Sequence, residues 1–136
     1  MEILSRLIAL IMLVVLAPLF FVVFILSFIT QGTPIFFKQV RVGYEFNQFI
    51  FYKFRTMRDL EGDTITHSDD SRITSWGKFL RALKLDEIPQ LINILKGDMR
   101  FIGPRPEIPQ YVNQDEFKFL NQVPPGLSDY ASILLR

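Results

Sequence analysis

One stretch near the beginning of the chain limits its fold more than any other feature. Residues 7 to 37 contain no charged side chain, and residues 7 to 29 are almost wholly apolar. Such a run is a candidate membrane helix, because about 20 helical residues cross the hydrocarbon core of a bilayer. A secretory signal peptide is the alternative, but the run is too long for one and lacks an evident small-residue cleavage site. We predict a membrane segment over residues 1–34, ended by Gln-Gly-Thr-Pro, and a second domain over residues 35–136.

Pro18 lies near the centre of this apolar run. Proline removes one helical hydrogen bond and clashes with the preceding turn, so we expect the helix to bend there. A bent helix can enter and leave the membrane through the same leaflet. The flanking charges, Arg6 before the run and Lys38 and Arg41 after it, do not decide the orientation by the positive-inside rule. From these residues alone, a re-entrant and a spanning helix are both open.

The remaining composition excludes several classes of protein. A length of 136 residues suits one domain, and the absence of cysteine excludes a disulfide framework and a thiolate metal site. The formal net charge is +1, and the basic residues are dispersed rather than gathered in one block. We therefore predict no nucleic-acid surface, because such a surface needs concentrated positive charge. Dispersed cations fit separate phosphate contacts, a lipid headgroup surface or plain solvation.

A pair of short strands is predicted after the membrane segment. Residues 35 to 43 and 49 to 55 read as strands around a turn. The alternation places Lys53 and Arg55 on one face and Tyr52 and Phe54 on the other. The basic face is either solvated or part of a site.

Helical and loop patterns fill the rest of this domain. Residues 74 to 84 begin with a Thr-Ser cap and carry apolar side chains at helical spacing, which predicts a helix. Residues 107 to 120 read as a polar amphipathic helix with Tyr111, Phe117 and Leu120 facing inward. Residues 57 to 71 are polar and acidic, which favours a solvated loop over a metal site. The predicted fold class is therefore α/β, mainly helical, with a short β-hairpin.

Two adjacent carboxylates, Asp86 and Glu87, stand where another helix is predicted to begin. Asp86 has the chemistry of an N-cap, Pro89 suits a first turn, and a helical apolar stripe follows that ends at Lys96-Gly97. A helix N-terminus carries free N–H groups and the positive end of the macrodipole, so it can hold a carboxylate or a phosphate. For such a pair taken alone, plain N-capping is the competing interpretation.

A second phosphate-binding feature follows at 103 to 106, where the sequence is Gly-Pro-Arg-Pro. Pro104 and Pro106 fix the backbone on either side of Arg105, so a stiff loop presents its guanidinium. Bidentate recognition of phosphate needs this kind of presentation. The sequence thus predicts an anion site beside two acids.

Five short motifs, in this order and spacing, resemble the bacterial sugar transferases, which are small monotopic phosphoglycosyl transferases that begin lipid-linked glycan assembly. The motifs are Lys-Phe-Arg-Thr at 53 to 56, Arg-Ile-Thr at 72 to 74, Leu-Asp-Glu-Ile-Pro-Gln at 85 to 90, Leu-Lys-Gly-Asp-Met at 95 to 99 and Gly-Pro-Arg-Pro-Glu at 103 to 107. The joint pattern is specific and covers nearly the whole chain. Two stretches depart from the family: its Ser-Pro pair is Ala17-Pro18 here, and its Arg-Pro-Gly is Pro-Pro-Gly at 124 to 126.

The resemblance implies a re-entrant membrane helix and a small catalytic domain on the cytoplasmic face of the bacterial inner membrane. The implied enzyme moves a phosphosugar from a UDP-sugar to a polyprenyl phosphate, such as undecaprenyl phosphate, in contact with membrane lipid, and releases UMP. Asp86 would be the nucleophile that forms a covalent aspartyl-phosphosugar intermediate, and Asp86 and Glu87 would bind Mg²⁺. The implied substrate-binding residues are Arg81, Arg105, Lys53, Arg55, Pro104 and Pro106.

Two other classes of protein stay open at this point. A membrane-anchored binding or scaffold protein of the same fold, with impaired catalysis, would fit the altered stretch at 124 to 126. A single-pass membrane protein with a soluble interaction domain would fit the apolar run, although Pro18 argues against it. Members of the resembled family usually continue past this length, so a truncated chain is also an expectation. The sequence names no sugar and does not distinguish a monomer from a homo-oligomer.

Overall fold

The structure, a computed structural model, describes residues 2–58, 70–113, 115–118 and 122–129. This part of the chain contains three α-helices and two pairs of strands, joined by short 3₁₀ turns. In chain order the helices and strands are α1 (Glu2–Gln31), β1 (Phe36–Val42), β2 (Gln48–Phe54), α2 (Ser75–Ala82), α3 (Gln90–Lys96), β3 (Arg100–Ile102) and β4 (Gly126–Ser128).

The apolar run forms α1, which continues as one α-helix through Pro18 and is long and apolar enough to cross a membrane. One stripe of α1 packs against the rest of the chain. Ala9, Val23 and Ser27 on this stripe are buried, and the Trp76 indole N–H donates to the Ser27 hydroxyl at 2.9 Å. The other faces expose large apolar side chains along the helix, namely Ile3, Leu4, Leu7, Ile11, Val14, Val15, Phe21, Val22, Ile25, Phe28 and Ile29.

The predicted hairpin is confirmed. β1 and β2 pair antiparallel, with Phe36 opposite Phe54 and Val42 opposite Gln48. A 3₁₀ turn over Tyr44–Phe46 joins them. The second sheet, which was not predicted from the sequence, pairs β3 with β4 in parallel.

The hydrophobic core lies between α1, the hairpin and the two short helices. It consists of two clusters, and each contains residues of α1. The first cluster is Ala9, Phe51, Ile88, Leu91, Ile94 and Met99, and the second is Val23, Phe54 and Leu80. The stripe of α1 therefore completes the core of the domain that follows it.

The helix predicted from Thr74 is confirmed as α2. The Thr74 hydroxyl accepts a hydrogen bond from the Gly77 N–H at 2.8 Å, as an N-cap does. Close packing of this first turn requires Gly77, because a Cβ there would overlap the Thr56 carbonyl. α2 is thereby held against the chain that leaves β2.

The amphipathic helix predicted over residues 107 to 120 is wrong for the described part of that stretch. Its described residues form a 3₁₀ turn, Pro109–Tyr111, and a second turn from 115 to 118 rather than one continuous helix. The Tyr111 side chain is exposed rather than inward-facing. The Val42 N–H donates to the Glu107 carbonyl at 2.8 Å, which ties the start of the stretch to the hairpin instead. Pro109 cannot donate a helical hydrogen bond, so it also limits helix formation. Leu120, and most of the loop predicted over residues 57 to 71, lie outside the described residues.

Candidate active site

The two acids do not cap a helix, which corrects the prediction for Asp86. They lie in a separate 3₁₀ turn, Leu85–Glu87, and α3 begins only after Pro89. An α-helical turn that starts at Leu85 would need the N–H of residue 89 to donate to the Leu85 carbonyl. Residue 89 is Pro89, which has no N–H. The Ile88 N–H makes the shorter 3₁₀ bond to that carbonyl instead, at 3.3 Å. The predicted end of α3 is confirmed, since Gly97 adopts the left-handed conformation with φ 92°.

Asp86 is almost completely buried, with 3% of its surface exposed. Its Oδ2 lies 3.9 Å from the ammonium of Lys53, on the neighbouring strand β2. Its Oδ1 is buried and has no hydrogen-bond partner among the described residues. A buried carboxylate oxygen without a partner is costly, so this oxygen is a candidate for contact with a ligand.

Glu87 faces the Gly-Pro-Arg-Pro loop. Its Oε1 lies 3.8 Å from the guanidinium of Arg105, whose side chain is half exposed. The loop is fixed on both sides of this arginine. The Pro104 carbonyl accepts from the Gly126 N–H at 2.9 Å, and Pro106 is buried. As predicted for a stiff loop, Arg105 is the exposed residue of a segment with a fixed backbone.

Arg81, on α2, lies close enough to Lys53 for its charge to lower the pKa of that lysine. Its Nε donates to the Thr56 hydroxyl at 2.9 Å, and Thr56 is buried. This contact places the guanidinium between α2 and the end of the hairpin. We call the group formed by Lys53, Arg81, Asp86, Glu87 and Arg105 the acid-pair site.

The pKa of Lys53 is lowered by burial and is also shifted by the charges around it. Burial lowers it from its ordinary value, and the nearby Asp86 carboxylate opposes that effect. Arg105 and Arg81 lower the pKa further, while Glu87 raises it. Three cations and two acids therefore share one small region, where an anionic ligand would meet concentrated positive charge.

Arg55, which the strand pattern grouped with Lys53, lies elsewhere. It is 7% exposed and stands just beyond the end of β2. Its guanidinium donates to the carbonyls of Gln31, Gly32 and Thr33, the last two at 3.1 and 3.3 Å. We call this arrangement the helix-end clamp, because it holds the end of α1. The structure thus brings Lys53 to the acids and Arg55 to the end of α1.

An open cavity lies beside the helix-end clamp. Its lining comes from the end of α1, from the chain after β2 and from the first residues of α2, including Thr30, Arg58, Ser75 and Trp76. Neither acid of the pair contributes to it.

The acid pair fits the predicted magnesium site in its donor chemistry. Mg²⁺ prefers oxygen ligands and keeps several waters, so one or two carboxylates are enough to hold it. Asp86 and Glu87 supply two carboxylates from one irregular turn, and Asp86 Oδ1 has no partner among the described residues. The part of the chain that the structure describes contains no group of three or more His, Cys, Asp or Glu side chains that could hold a metal.

Two side chains near the site were not singled out from the sequence. Gln90 is buried, with a side-chain amide nitrogen that has no partner among the described residues. Arg41, which the sequence analysis named only as a charge after the apolar run, donates from Nη1 to the Pro106 carbonyl at 2.9 Å. Gln90 lies within a motif quoted above, whereas nothing local to Arg41 indicates its partner.

Comparison with known proteins supports the resemblance. The profile of the bacterial sugar transferase family matches residues 1–136. An uncharacterized sugar transferase, EpsL of Bacillus subtilis, is 42% identical over 109 residues, which cover 75% of this chain and 52% of EpsL. The UDP-N-acetylgalactosamine-undecaprenyl-phosphate N-acetylgalactosaminephosphotransferase of Aeromonas hydrophila is 36% identical, covering 87% of this chain and 30% of that protein.

A third relative is the UDP-glucose:undecaprenyl-phosphate glucose-1-phosphate transferase of Xanthomonas campestris pv. campestris. It is 37% identical over 139 residues, covering 95% of this chain and 28% of that protein. The chain therefore spans between about a quarter and about a half of the length of these three relatives.

Proposed function

Because this chain belongs to the bacterial sugar transferase family, we propose that it transfers a phosphosugar from a UDP-sugar to undecaprenyl phosphate or a similar polyprenyl phosphate, with release of UMP. Relatives named for such reactions support the choice of donor and acceptor. The observation that carries the proposal is the state of Asp86, a buried carboxylate beside Lys53 whose Oδ1 has no partner among the described residues.

The proposed reaction has two displacements at the phosphorus next to the sugar. In the first, an Asp86 oxygen attacks that phosphorus, the bond to the UMP oxygen breaks, and UMP leaves with the electron pair. The product is an acyl phosphate between Asp86 and the sugar phosphate. In the second, an oxygen of the polyprenyl phosphate attacks the same phosphorus and releases the Asp86 carboxylate. The lipid then carries a sugar diphosphate.

The cations of the acid-pair site can offset the negative charge of the two substrates. Donor and acceptor are both anionic, and negative charge spreads over the transferring phosphoryl group. Arg105, exposed on its stiff loop, and Arg81, held by Thr56, can bind phosphate oxygens, while Lys53 balances Asp86. Asp86 and Glu87 would hold Mg²⁺, which supplies further charge neutralisation when bound. Arg55 is left out of the proposed site, since its guanidinium donates to carbonyls of the helix end.

We also propose that α1 enters the inner membrane and returns to the same face, with both of its ends on the cytoplasmic side, rather than crossing the membrane. α1 contacts the second domain near both of its ends. Arg6 reaches the end of α3, where a Cβ on Gly97 would meet its guanidinium, and Gln31 accepts a hydrogen bond from the Thr74 hydroxyl at 3.0 Å. A crossing helix would carry its first residues to the far side of the membrane, away from α3. Contact at both ends supports the re-entrant arrangement.

The reaction is tested by intact-mass analysis of the protein with Mg²⁺ and a panel of UDP-sugars, without lipid acceptor. We expect a phosphosugar adduct on the wild-type protein and none on Asp86→Asn. The carboxamide is close in size to the carboxylate but is a poor nucleophile. A folded wild-type protein that forms no adduct with any sugar and does not turn over with undecaprenyl phosphate would contradict the proposal and favour the binding or scaffold protein.

The membrane arrangement is tested with single cysteines, since the chain has none of its own. Ile3→Cys near the start of α1 and Lys118→Cys in the second domain are both at exposed positions. In inverted membrane vesicles, a membrane-impermeant maleimide should label both variants. Labelling of Ile3→Cys only from the opposite face would show a spanning helix.

A further inference from the structure

Arg41 fixes the segment that carries Arg105, although the two residues are far apart in sequence. The Arg41 Nη1 donates to the Pro106 carbonyl at 2.9 Å. The next residue, Val42, donates its N–H to the Glu107 carbonyl at 2.8 Å. Two neighbouring residues of β1 therefore bind the two carbonyls that follow Arg105. A shift of Arg41 would move the backbone on which the Arg105 guanidinium is carried.

Arg41 also belongs to the charged face of the hairpin. Its guanidinium carbon lies 5.4 Å from the centre of the Phe51 ring, and the Lys53 ammonium lies 5.8 Å from the centre of the same ring. Phe51 is buried, so this ring is a fixed platform between the two cations. Arg41 is thus linked to the acid-pair site from two sides, through Phe51 to Lys53 and through Pro106 to Arg105.

The position of Arg41 is costly, which argues against an incidental surface contact. Its Nε is buried and has no hydrogen-bond partner among the described residues. Burial lowers the pKa of Arg41, and the nearby Arg105 lowers it further, while Glu107 raises it. Two guanidinium groups close enough to repel each other are relieved when an anion binds near both. A diphosphate would supply that anion.

We propose that Arg41 is a positioning residue for the diphosphate of the donor: it holds Arg105 in place through the Pro106 carbonyl. The proposal rests on the proposed function, because it takes Arg105 to be a phosphate-binding residue. Arg41 does not touch the reacting atoms in this proposal and acts through Arg105.

A double-mutant cycle on UDP binding separates this role from simple support of the fold. UDP is the probe because it carries the diphosphate and does not require the sugar to be known. Its dissociation constant is measured with Mg²⁺ for the wild-type protein, Arg41→Met, Arg105→Met and the double variant. We expect Arg41→Met to weaken UDP binding by about tenfold, and by less than about twofold once Arg105 is already replaced. Lys38→Met, which removes an exposed cation from the opposite face of β1, is the matched control and should leave binding unchanged.

The outcomes distinguish this inference from the proposed function. If Arg41→Met weakens UDP binding by the same factor in the wild-type protein and in Arg105→Met, the positioning role is overturned. The transferase proposal would still stand. A folded wild-type protein that does not bind UDP would overturn both. If Arg41→Met does not fold, Arg41→Lys completes the same cycle. Lysine keeps the charge but not the forked guanidinium, so we expect a smaller loss, about threefold, that again disappears without Arg105.

Discussion

Lys53 and Arg55 are two residues apart, yet the regions they enter differ in how fully their charges are paired. In the helix-end clamp, both terminal nitrogens of the Arg55 guanidinium donate to carbonyls, three in all, and only its buried Nε lacks a partner among the described residues. In the acid-pair site, Lys53 and Asp86 are 3.9 Å apart, and Asp86 keeps an oxygen without a partner among the described residues. Well-paired polar groups fix a structure, whereas incompletely paired buried groups keep bonding capacity for a ligand. The first region therefore contributes to stability, and the second keeps the bonding capacity that the proposed reaction needs.

The strongest test of this comparison is Asp86→Asn in full turnover with undecaprenyl phosphate. We expect the turnover number to fall by about 10⁴-fold or more, since removal of a nucleophile eliminates the covalent route. Thermal stability should change little. Asp115→Asn, at an exposed position, is the control and should retain wild-type turnover. Substantial turnover by Asp86→Asn would mean that another group performs the attack.

Removal of magnesium should have the next largest effect on the same region. We expect chelation by EDTA to abolish turnover and excess Mg²⁺ to restore it. Glu87→Gln, which removes one of the two candidate carboxylate ligands, should raise the Mg²⁺ concentration required for half-maximal turnover by about tenfold or more. An unchanged magnesium requirement in Glu87→Gln would exclude Glu87 as a ligand.

The helix-end clamp is tested by Arg55→Met. Loss of the guanidinium leaves the carbonyls of Gln31, Gly32 and Thr33 without this donor, so we expect the free energy of unfolding in detergent to fall by about 3 kcal/mol. The turnover number of the folded fraction should stay near that of the wild type. Arg58→Met, at an exposed arginine three residues later, should change stability by less than about 0.5 kcal/mol. A loss of turnover in folded Arg55→Met would bring Arg55 back into the reaction.

The smallest effect concerns pH. The pKa of Lys53 is lowered by burial, so between that lowered value and its ordinary value of 10.5 the unfolded chain binds more protons than the folded chain. Within that window, Lys53 should therefore make the free energy of unfolding rise with pH. The rise corresponds to a difference of less than about one bound proton between the unfolded and folded chains. Lys53→Met should remove this contribution. The same slope in both proteins would show that the folded state does not shift Lys53.

Sequence reasoning predicted the features that depend on neighbouring residues. The Thr74 cap, the left-handed Gly97 and the hairpin all follow from local chemistry, and the structure confirms them. The contact between Arg41 and Pro106 spans 65 positions, and no local pattern specifies it. The error over residues 107 to 120 is different in kind, because Pro109 is a local signal against a helix that continues through it.

The separation of Lys53 from Arg55 could not be read from alternation alone. Alternation describes a strand, but β2 ends at Phe54, and Arg55 then reaches carbonyls about two dozen positions earlier in the chain. The turn that carries Asp86 was likewise misassigned to a helix. The residue types of the candidate site were thus predictable, while their placement depended on where each element stops.

The stripe of α1 that enters both core clusters has a practical consequence for the solubility of the protein. A membrane anchor is often removed to obtain a water-soluble catalytic domain, but a chain starting after α1 would lose Ala9 and Val23 from the two clusters. Without α1, solvent would reach apolar surface that the helix now covers, on Leu91, Ile94 and Phe54. This exposure costs about 25 cal/mol for each Å² of apolar surface. Anchor and core are the same piece of polypeptide, so a trimmed version of this protein should aggregate rather than dissolve.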